Sequence, residues 1–494
     1  MANDSTTPVR RSYQFRNWIS LSGVVIAVGS FFAFLLLFAI DLMGRASNPY
    51  MGILAYVVAP GFLILGLFLI VLGVWRHRRR VRQSRAGTPP QDLMINLSRP
   101  RDQKIFAVFL AGSVVFLLLT AVGSQRTYHY TESVQFCGQA CHAPMKPEYT
   151  TYLNSPHARI DCTDCHVGSG ATAYVKSKIG GVRQLYCTVT GHFERPIKAP
   201  LKNMRPAQET CERCHWPQRY VGNLDRTYSH FLADETNTPF TVRLSLKVGG
   251  GDPRHGPVGG IHWHMNLANI VEYIATDEQR QIIPWVRATG TNGVVTEYRT
   301  SAFKDNPAKH AIRTMDCMDC HNRPAHHFRS PNDAVDLAMA TGRIDASLNW
   351  VKSNVVSTLI QPYRTEQEAV EKIASTLRSQ YGNYPKIDAL VATAQDLFRH
   401  NLFPEMKSDW RAYPDNVGHK NWAGCFRCHD GKHKSADGKQ MIKASDCSSC
   451  HTIFAQGSGA QLQKLVATGH TFFHVDAEYS DFSCTECHTG AFSK

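Results

Sequence analysis

Cys-x-x-Cys-His occurs six times in this chain: Cys162, Cys165 and His166; Cys211, Cys214 and His215; Cys317, Cys320 and His321; Cys425, Cys428 and His429; Cys447, Cys450 and His451; and Cys484, Cys487 and His488. A seventh, looser copy, CGQACH, sets Cys137, Cys141 and His142 with three residues between the thiols. Two thiols one turn apart can each form a thioether to one vinyl group of a haem, and the histidine that follows then binds the iron axially. A zinc site or a redox dithiol needs the cysteine pair but not the histidine after it. Six full copies and a near-copy point to seven covalently bound c-type haems. The cysteine count agrees: fifteen cysteines furnish seven pairs and leave Cys187, which reads as a packing thiol.

An iron that carries electrons rather than binding substrate needs a second axial ligand. Of 23 histidines, seven follow a motif and His77 lies in a cytoplasmic loop, which leaves fifteen. Local context ranks them. His157 lies five residues before a motif cysteine, and His326 closely follows His321. His230, His264, His419, His433 and His474 sit in irregular segments near Trp, Phe or Gly. These seven are the expected distal ligands, with His262 and His327 as substitutes. Met145, three residues after His142, is a candidate ligand for the first haem, where a thioether would raise the potential relative to a second imidazole.

The elements that must position these groups begin in a membrane. Residues 19–40, 51–75 and 105–124 are apolar runs long enough to cross the hydrocarbon core as helices. Arg10, Arg11 and Arg16 precede the first, and the loop between the second and third carries Arg76, Arg78, Arg79, Arg80, Arg82, Arg85, Arg99, Arg101 and Lys104. Basic residues stay on the cytoplasmic side, so the third run delivers residues 125–494 to the periplasm of a bacterial cell, where haem is attached to exported chains. The formal charge of +14 is uneven: residues 1–124 hold thirteen of the 54 Lys and Arg against four of the 40 acids. Haem propionates would turn the weakly basic exported part acidic, which suits basic redox partners and not nucleic acid.

The exported part has too few residues per motif to build a conventional core around each haem. The expected fold is a membrane-anchored multihaem cytochrome: three transmembrane α-helices, then a mainly α and irregular haem-packed domain with a few short β-hairpins. Residues 281–300 alternate around Thr291-Asn292-Gly293 and predict a hairpin. Residues 240–248 predict another strand. Residues 365–381 and 386–402 show helical apolar spacing and read as packing helices. The domains expected are a membrane part (1–124), a first haem domain (125–216, haems 1–3) and a further multihaem domain (217–494, haems 4–7).

A membrane span running into TESVQFCGQACHAPM, then YLNSPHARIDCTDCHVGSG, then YVKSKIGG and CERCHW, resembles the NapC/NirT family of membrane-anchored multihaem cytochromes c over roughly residues 105–216. The whole layout, with GGGDPRHG, GIHWHM, MDCMDCHNRP and GCFRCHDGKH, is similar to the larger seven-haem inner-membrane members of the ImcH type. The resemblance implies oxidation of menaquinol or another quinol near the first haem, with electrons passed to periplasmic carriers. It also implies a quinol-binding lysine after the second motif, here Lys178. The family's acid, six or seven residues further on, is replaced by Gln184 and Leu185. Proton acceptance would then fall to Asp161, Asp164, Glu148 or a haem propionate. Two other functions fit the same motifs: a terminal multihaem reductase with one open haem, and a haem wire or docking subunit with no quinol site. The surplus of histidines argues against the first.

Overall fold

The computed structural model describes residues 17–43, 58–83, 99–101, 103–104, 107–108, 110–111, 129–167, 171–201, 204–250, 259–265, 269–443, 447–475 and 484–488, with single positions at 478 and 482. The chain divides into two compact units, Met1–Cys137 with Cys162–Arg183, and Gly138–Asp161 with Gln184–Lys494.

In the first unit, helices α1 (Trp18–Met43) and α2 (Ala59–Gln83) pack side by side. Small residues line their seam. A Cβ on Gly23 would lie 2.6 Å from the Gly66 carbonyl oxygen, so only glycine permits this approach. Ser20, fully buried, donates to the Ile70 carbonyl at 3.3 Å. Packing through small residues and a hydroxyl is how helices associate where water supplies no hydrophobic drive. Val28, Phe31, Phe32, Ile64, Phe68 and Val71 remain exposed on the outer faces. Among the described residues, Ala59–Arg80 is the one helix long and apolar enough to cross a membrane, and Trp18–Phe34 is a shorter apolar stretch. The helix of the second apolar run continues past Trp75 to Gln83, because arginines favour helix and no breaker intervenes. Most of the 105–124 run lies outside the described residues.

The first unit also holds the second motif, a short helical turn Cys162–His166, and much of helix α4 (Ala171–Val189). The second unit opens with helix α3 (His142–Leu153). Two antiparallel sheets follow. One has the order β1-β2-β8, from β1 (Leu224–Phe231), β2 (Pro239–Leu246) and β8 (His451–Gly457). The other has the order β6-β3-β4-β5-β7, from β3 (Ile270–Ile274), β4 (Trp285–Thr289), β5 (Val295–Arg299), β6 (Arg313–Thr314) and β7 (Lys434–Ser435). The hairpin expected over 281–300 is β4–β5, with Trp285 opposite Arg299, and the strand expected over 240–248 is β2.

Between the fourth and fifth motifs the chain builds a conventional core without any haem motif. Helices α5 (Pro331–Ala340), α6 (Val351–Leu359), α7 (Glu366–Tyr381) and α8 (Ile387–Asn401) bury Val335, Val351, Val355, Leu359, Ile373, Leu377 and Ala394 completely. Ser330 and Thr365 cap α5 and α7 by accepting from the Asp333 and Glu368 amides. Sharing residues evenly among haems hid this cluster, since the segment from His321 to Cys425 carries no motif and keeps its apolar side chains for itself.

Candidate haem sites

The motif cysteines stand on single helical turns. In the second motif Cys162 and Cys165 share the turn Cys162–His166, and both are half-buried. In the third, the Cys214 amide donates to the Cys211 carbonyl at 3.1 Å, with Cys211 half-buried and Cys214 exposed. In the sixth, the Cys450 amide donates to the Cys447 carbonyl at 3.2 Å, and here the first thiol is exposed and Cys450 half-buried. In the seventh, Cys484 and Cys487 open and close the turn Cys484–Cys487, both half-buried. One turn sets the two thiols of a pair on the same side of the chain, as two thioethers to one porphyrin edge require. The first motif winds differently: its extra residue is taken up in a wider turn, Phe136–Ala140, just before Cys141.

Five motif histidines face a second histidine from elsewhere in the second unit. Ring centres lie 6.0 Å apart for His157 and His215, 6.3 Å for His262 and His321, 6.0 Å for His264 and His429, 6.5 Å for His419 and His451, and 6.1 Å for His474 and His488. Two imidazoles on opposite sides of one metal, each nitrogen about 2 Å from it, have ring centres about 6 Å apart. His157, His264, His419 and His474 are thus brought opposite motif histidines, and His262, the substitute, takes the place expected of one of the others.

Several of these rings are tethered through Nδ1. His157 bonds the Pro324 carbonyl oxygen at 3.3 Å, His262 that of Val248 at 3.0 Å, and His264 that of Ile261 at 2.9 Å. This is the backbone bond that fixes tautomer and ring plane in metal-ligating histidines and leaves Nε2 for the metal. The turn bearing His262 and His264 (Ile261–Met265) is itself held by amide bonds from Ile261 to Lys247 and from His262 to Val248. Gly250 must be glycine there: it has φ +95°, and a Cβ would sit 2.2 Å from the His262 carbonyl carbon.

The electrostatics suit haem. Burial lowers the pKa of His262, His321, His419, His429, His451 and His488, keeping these imidazoles neutral and able to ligate. Burial pushes the Cys317 and Cys320 thiols up to about 11 and Cys428 to about 12. All fifteen cysteines are free of disulfides. Among the described residues the one cluster with metal-ligand spacing is His230, Asp333 and Asp336, which includes no motif residue. The Nδ1 atoms of His419 and His451 are buried without a hydrogen-bond partner. The donor set therefore fits haem.

The sites adjoin one another in sequence order. Tyr220, just after the third motif, stacks on His262 with ring centres 4.5 Å apart, and His157 is tied beside the fourth motif at Pro324. Arg427, inside the fifth motif, donates to the carbonyl of Asp319, inside the fourth, at 2.8 Å. Asp319 is itself buried and accepts from Tyr273, Arg280 and Arg313. His419 precedes the fifth motif but faces His451 of the sixth. That histidine begins β8, opposite Leu246 of β2. Gln456 on β8 donates to the Thr471 carbonyl at 2.7 Å, which places the approach to His474.

Other expected ligands have other partners. His433 is fully buried with both ring nitrogens engaged by protein, Nδ1 with Asp430 at 2.8 Å and Nε2 with the Ile283 carbonyl at 2.7 Å. Its place after a motif gave no hint of that. His230 bonds Asp336 through Nδ1 at 2.9 Å. Asp336 also pairs with the buried Lys352. His326 is anchored through Nδ1 on the Glu148 carbonyl at 2.9 Å. His327 Nδ1 lies 3.1 Å from a carboxylate oxygen of Asp415. Met145 sits half-buried on the first turn of α3, its amide bonded to the Cys141 carbonyl at 3.1 Å.

Lys178, on α4, donates to a carboxylate oxygen of Glu132 and, at 3.1 Å, to the Thr131 carbonyl. Asp161 and Asp164, the acids expected to work with it, are exposed, and Glu148 is paired with Arg323 at 3.0 Å. Glu132 escaped the sequence reading because it lies far upstream of the lysine, before the first motif.

The family model for the N-terminal region of NapC/NirT cytochromes c matches residues 99–215. The chain is 38% identical over 492 residues to cytochrome c-type protein ImcH of Geobacter sulfurreducens, covering 96% of this chain and 95% of that protein. It is 28% identical over 109 residues to cytochrome c-type protein TorY of Haemophilus influenzae, 19% of this chain and 29% of that one. It is 26% identical over 149 residues to cytochrome c-type protein NapC of the same organism, 26% of this chain and 73% of that one. No solved structure matches.

Proposed function

Because the chain belongs to the ImcH-like, NapC/NirT-type multihaem cytochromes c of electron transport, we propose that it is a seven-haem quinol dehydrogenase of the bacterial inner membrane. It takes electrons from menaquinol or another quinol and delivers them to periplasmic carriers. The observation that carries this reading is the set of five histidine pairs at one common ring spacing.

Haem bound at the seven motifs supplies one-electron chemistry. The chain's own residues do the rest. The motif cysteines would hold each haem covalently, and the paired histidines at the third to seventh sites would ligate its iron, which argues against a substrate-binding iron there. Met145 is retained as the proposed ligand at the first motif, and His326 as a distal ligand on the strength of its anchored Nδ1. His230, whose Nδ1 has a carboxylate partner of the same orienting kind, is retained on the same ground. On this reading electrons pass along the adjoining sites, from the third to the seventh. Three helices, over 19–40, 51–75 and 105–124, anchor the chain on this reading, with the haem domain in the periplasm. Lys178 orients the quinol hydroxyl.

The test is anaerobic mixing of detergent-solubilised protein with a menaquinol analogue, followed by visible absorption. The expected result is reduction of low-spin c-type haem at seven haems per chain. Haem that dithionite reduces but quinol does not would leave a haem wire. A five-coordinate signal at the third to seventh sites would favour a terminal reductase.

A further inference from the structure

We propose that Glu132 is the carboxylate that receives the quinol proton, with Lys178 as its positioning partner; this rests on the quinol reading above. Quinol oxidation breaks two O–H bonds and releases two electrons and two protons. Each electron goes to a ferric haem iron. Each proton needs a base within reach when its electron leaves, or the charged product is stranded in an apolar site.

The acids offered by sequence do not fill that role. Gln184 and Leu185 cannot accept a proton, Glu148 is held by Arg323, and Asp161 and Asp164 stand in solvent. Glu132 is different. Its side chain is 11% exposed, and the Lys178 ammonium donates to it while also bonding the Thr131 carbonyl. Lys178 lies on the face of α4 that carries Val175, Ile179 and Val182, at helical spacing, and all three are exposed. An apolar stripe in the same compact unit as the membrane helices suits a lipid-soluble alcohol. A carboxylate bonded to the lysine of that face is placed to take a hydroxyl proton. One O–H bond of the quinol breaks and one forms on Glu132. The carboxyl then gives its proton to water before the second transfer.

The experiment compares wild type, Glu132→Gln and Glu132→Asp. Each is assayed as the full haem-loaded chain for reduction by a menaquinol analogue at neutral pH, with dithionite reduction and total haem as controls. The expected result for Glu132→Gln is a loss of about 100-fold in quinol-driven reduction. Haem content and dithionite spectrum stay unchanged. Glu132→Asp recovers most of the rate. Glu132→Gln within twofold of wild type would overturn the assignment alone. Loss of haem from both variants would make the pair structural and also overturn it. If quinol fails to reduce wild type while dithionite succeeds, the quinol reading falls and takes this assignment with it.

Discussion

Replacing His262 and His264 by alanine, singly and together, tests the pairing where it is least expected. The two histidines are separated only by Trp263, yet one faces His321 and the other His429. Each substitution removes one Nδ1 bond to a backbone carbonyl, at 3.0 Å or 2.9 Å, a loss of about 1 kcal/mol that the domain can absorb. The turn keeps its amide bonds from Ile261 and Trp263. What changes is coordination. Each single variant should leave one iron with an open position, and the double variant two irons, because the two sites are separate and their effects add. The assay is carbon monoxide titration of the dithionite-reduced protein, counted per chain against total haem. The expected increments over wild type are one, one and two. A double variant that gains only one site would mean both histidines serve a single iron, and no gain in any variant would remove the turn from the haem sites altogether.

Two further perturbations probe the scaffold. Lys352→Met strands the buried carboxylate of Asp336, leaving it the Phe231 amide at 3.1 Å and His230 at 2.9 Å; breaking a buried pair from one side costs about 3–5 kcal/mol. Thermal unfolding should drop by roughly 5–15 °C, and Lys352→Met/Asp336→Leu should recover part of it; a single variant that melts with wild type refutes the estimate. Burial raises the Asp333 pKa, but Lys420 at 2.8 Å, with Ser330 and Asn421, outweighs it and holds the carboxyl at about 2. A depressed folded-state pKa gives stability that is present above the unfolded value near 3.8 and lost as pH falls to about 2. After screening it amounts to about 1–2 kcal/mol. Asp333→Asn should flatten acid unfolding in that window, as followed by circular dichroism.

Local chemistry was legible from residues alone. The motifs, the capped helix α7, its neighbour α8 and the β4–β5 hairpin are each set by short-range spacing, and each stands where that spacing put it. Four of the histidines ranked by neighbourhood, His157, His264, His419 and His474, are also brought opposite motif histidines. The differences share a cause. Which of His262 and His433 is brought opposite a motif histidine depends on contacts with distant backbone carbonyls. Val248 holds His262 by one atom, whereas Asp430 and Ile283 together occupy both atoms of His433. The Glu132–Lys178 pair likewise joins two segments that no local pattern connects. The helical core of α5–α8 was hidden because an average over the exported chain spreads residues evenly, while the fold concentrates them between two motifs.

The histidine pairs also tie the chain into loops of very different reach. His474 and His488 bracket a short stretch, His419 and His451 a longer one, and His264 and His429 the longest. Closing a loop costs conformational entropy that grows with its length. As the polypeptide takes up haem, the C-terminal knot should therefore tie early. The His264–His429 knot should tie last, after α5–α8 have condensed and shortened the span between its ends. A lesion in those helices, remote from every cysteine, would then show itself first as a histidine that never finds its iron.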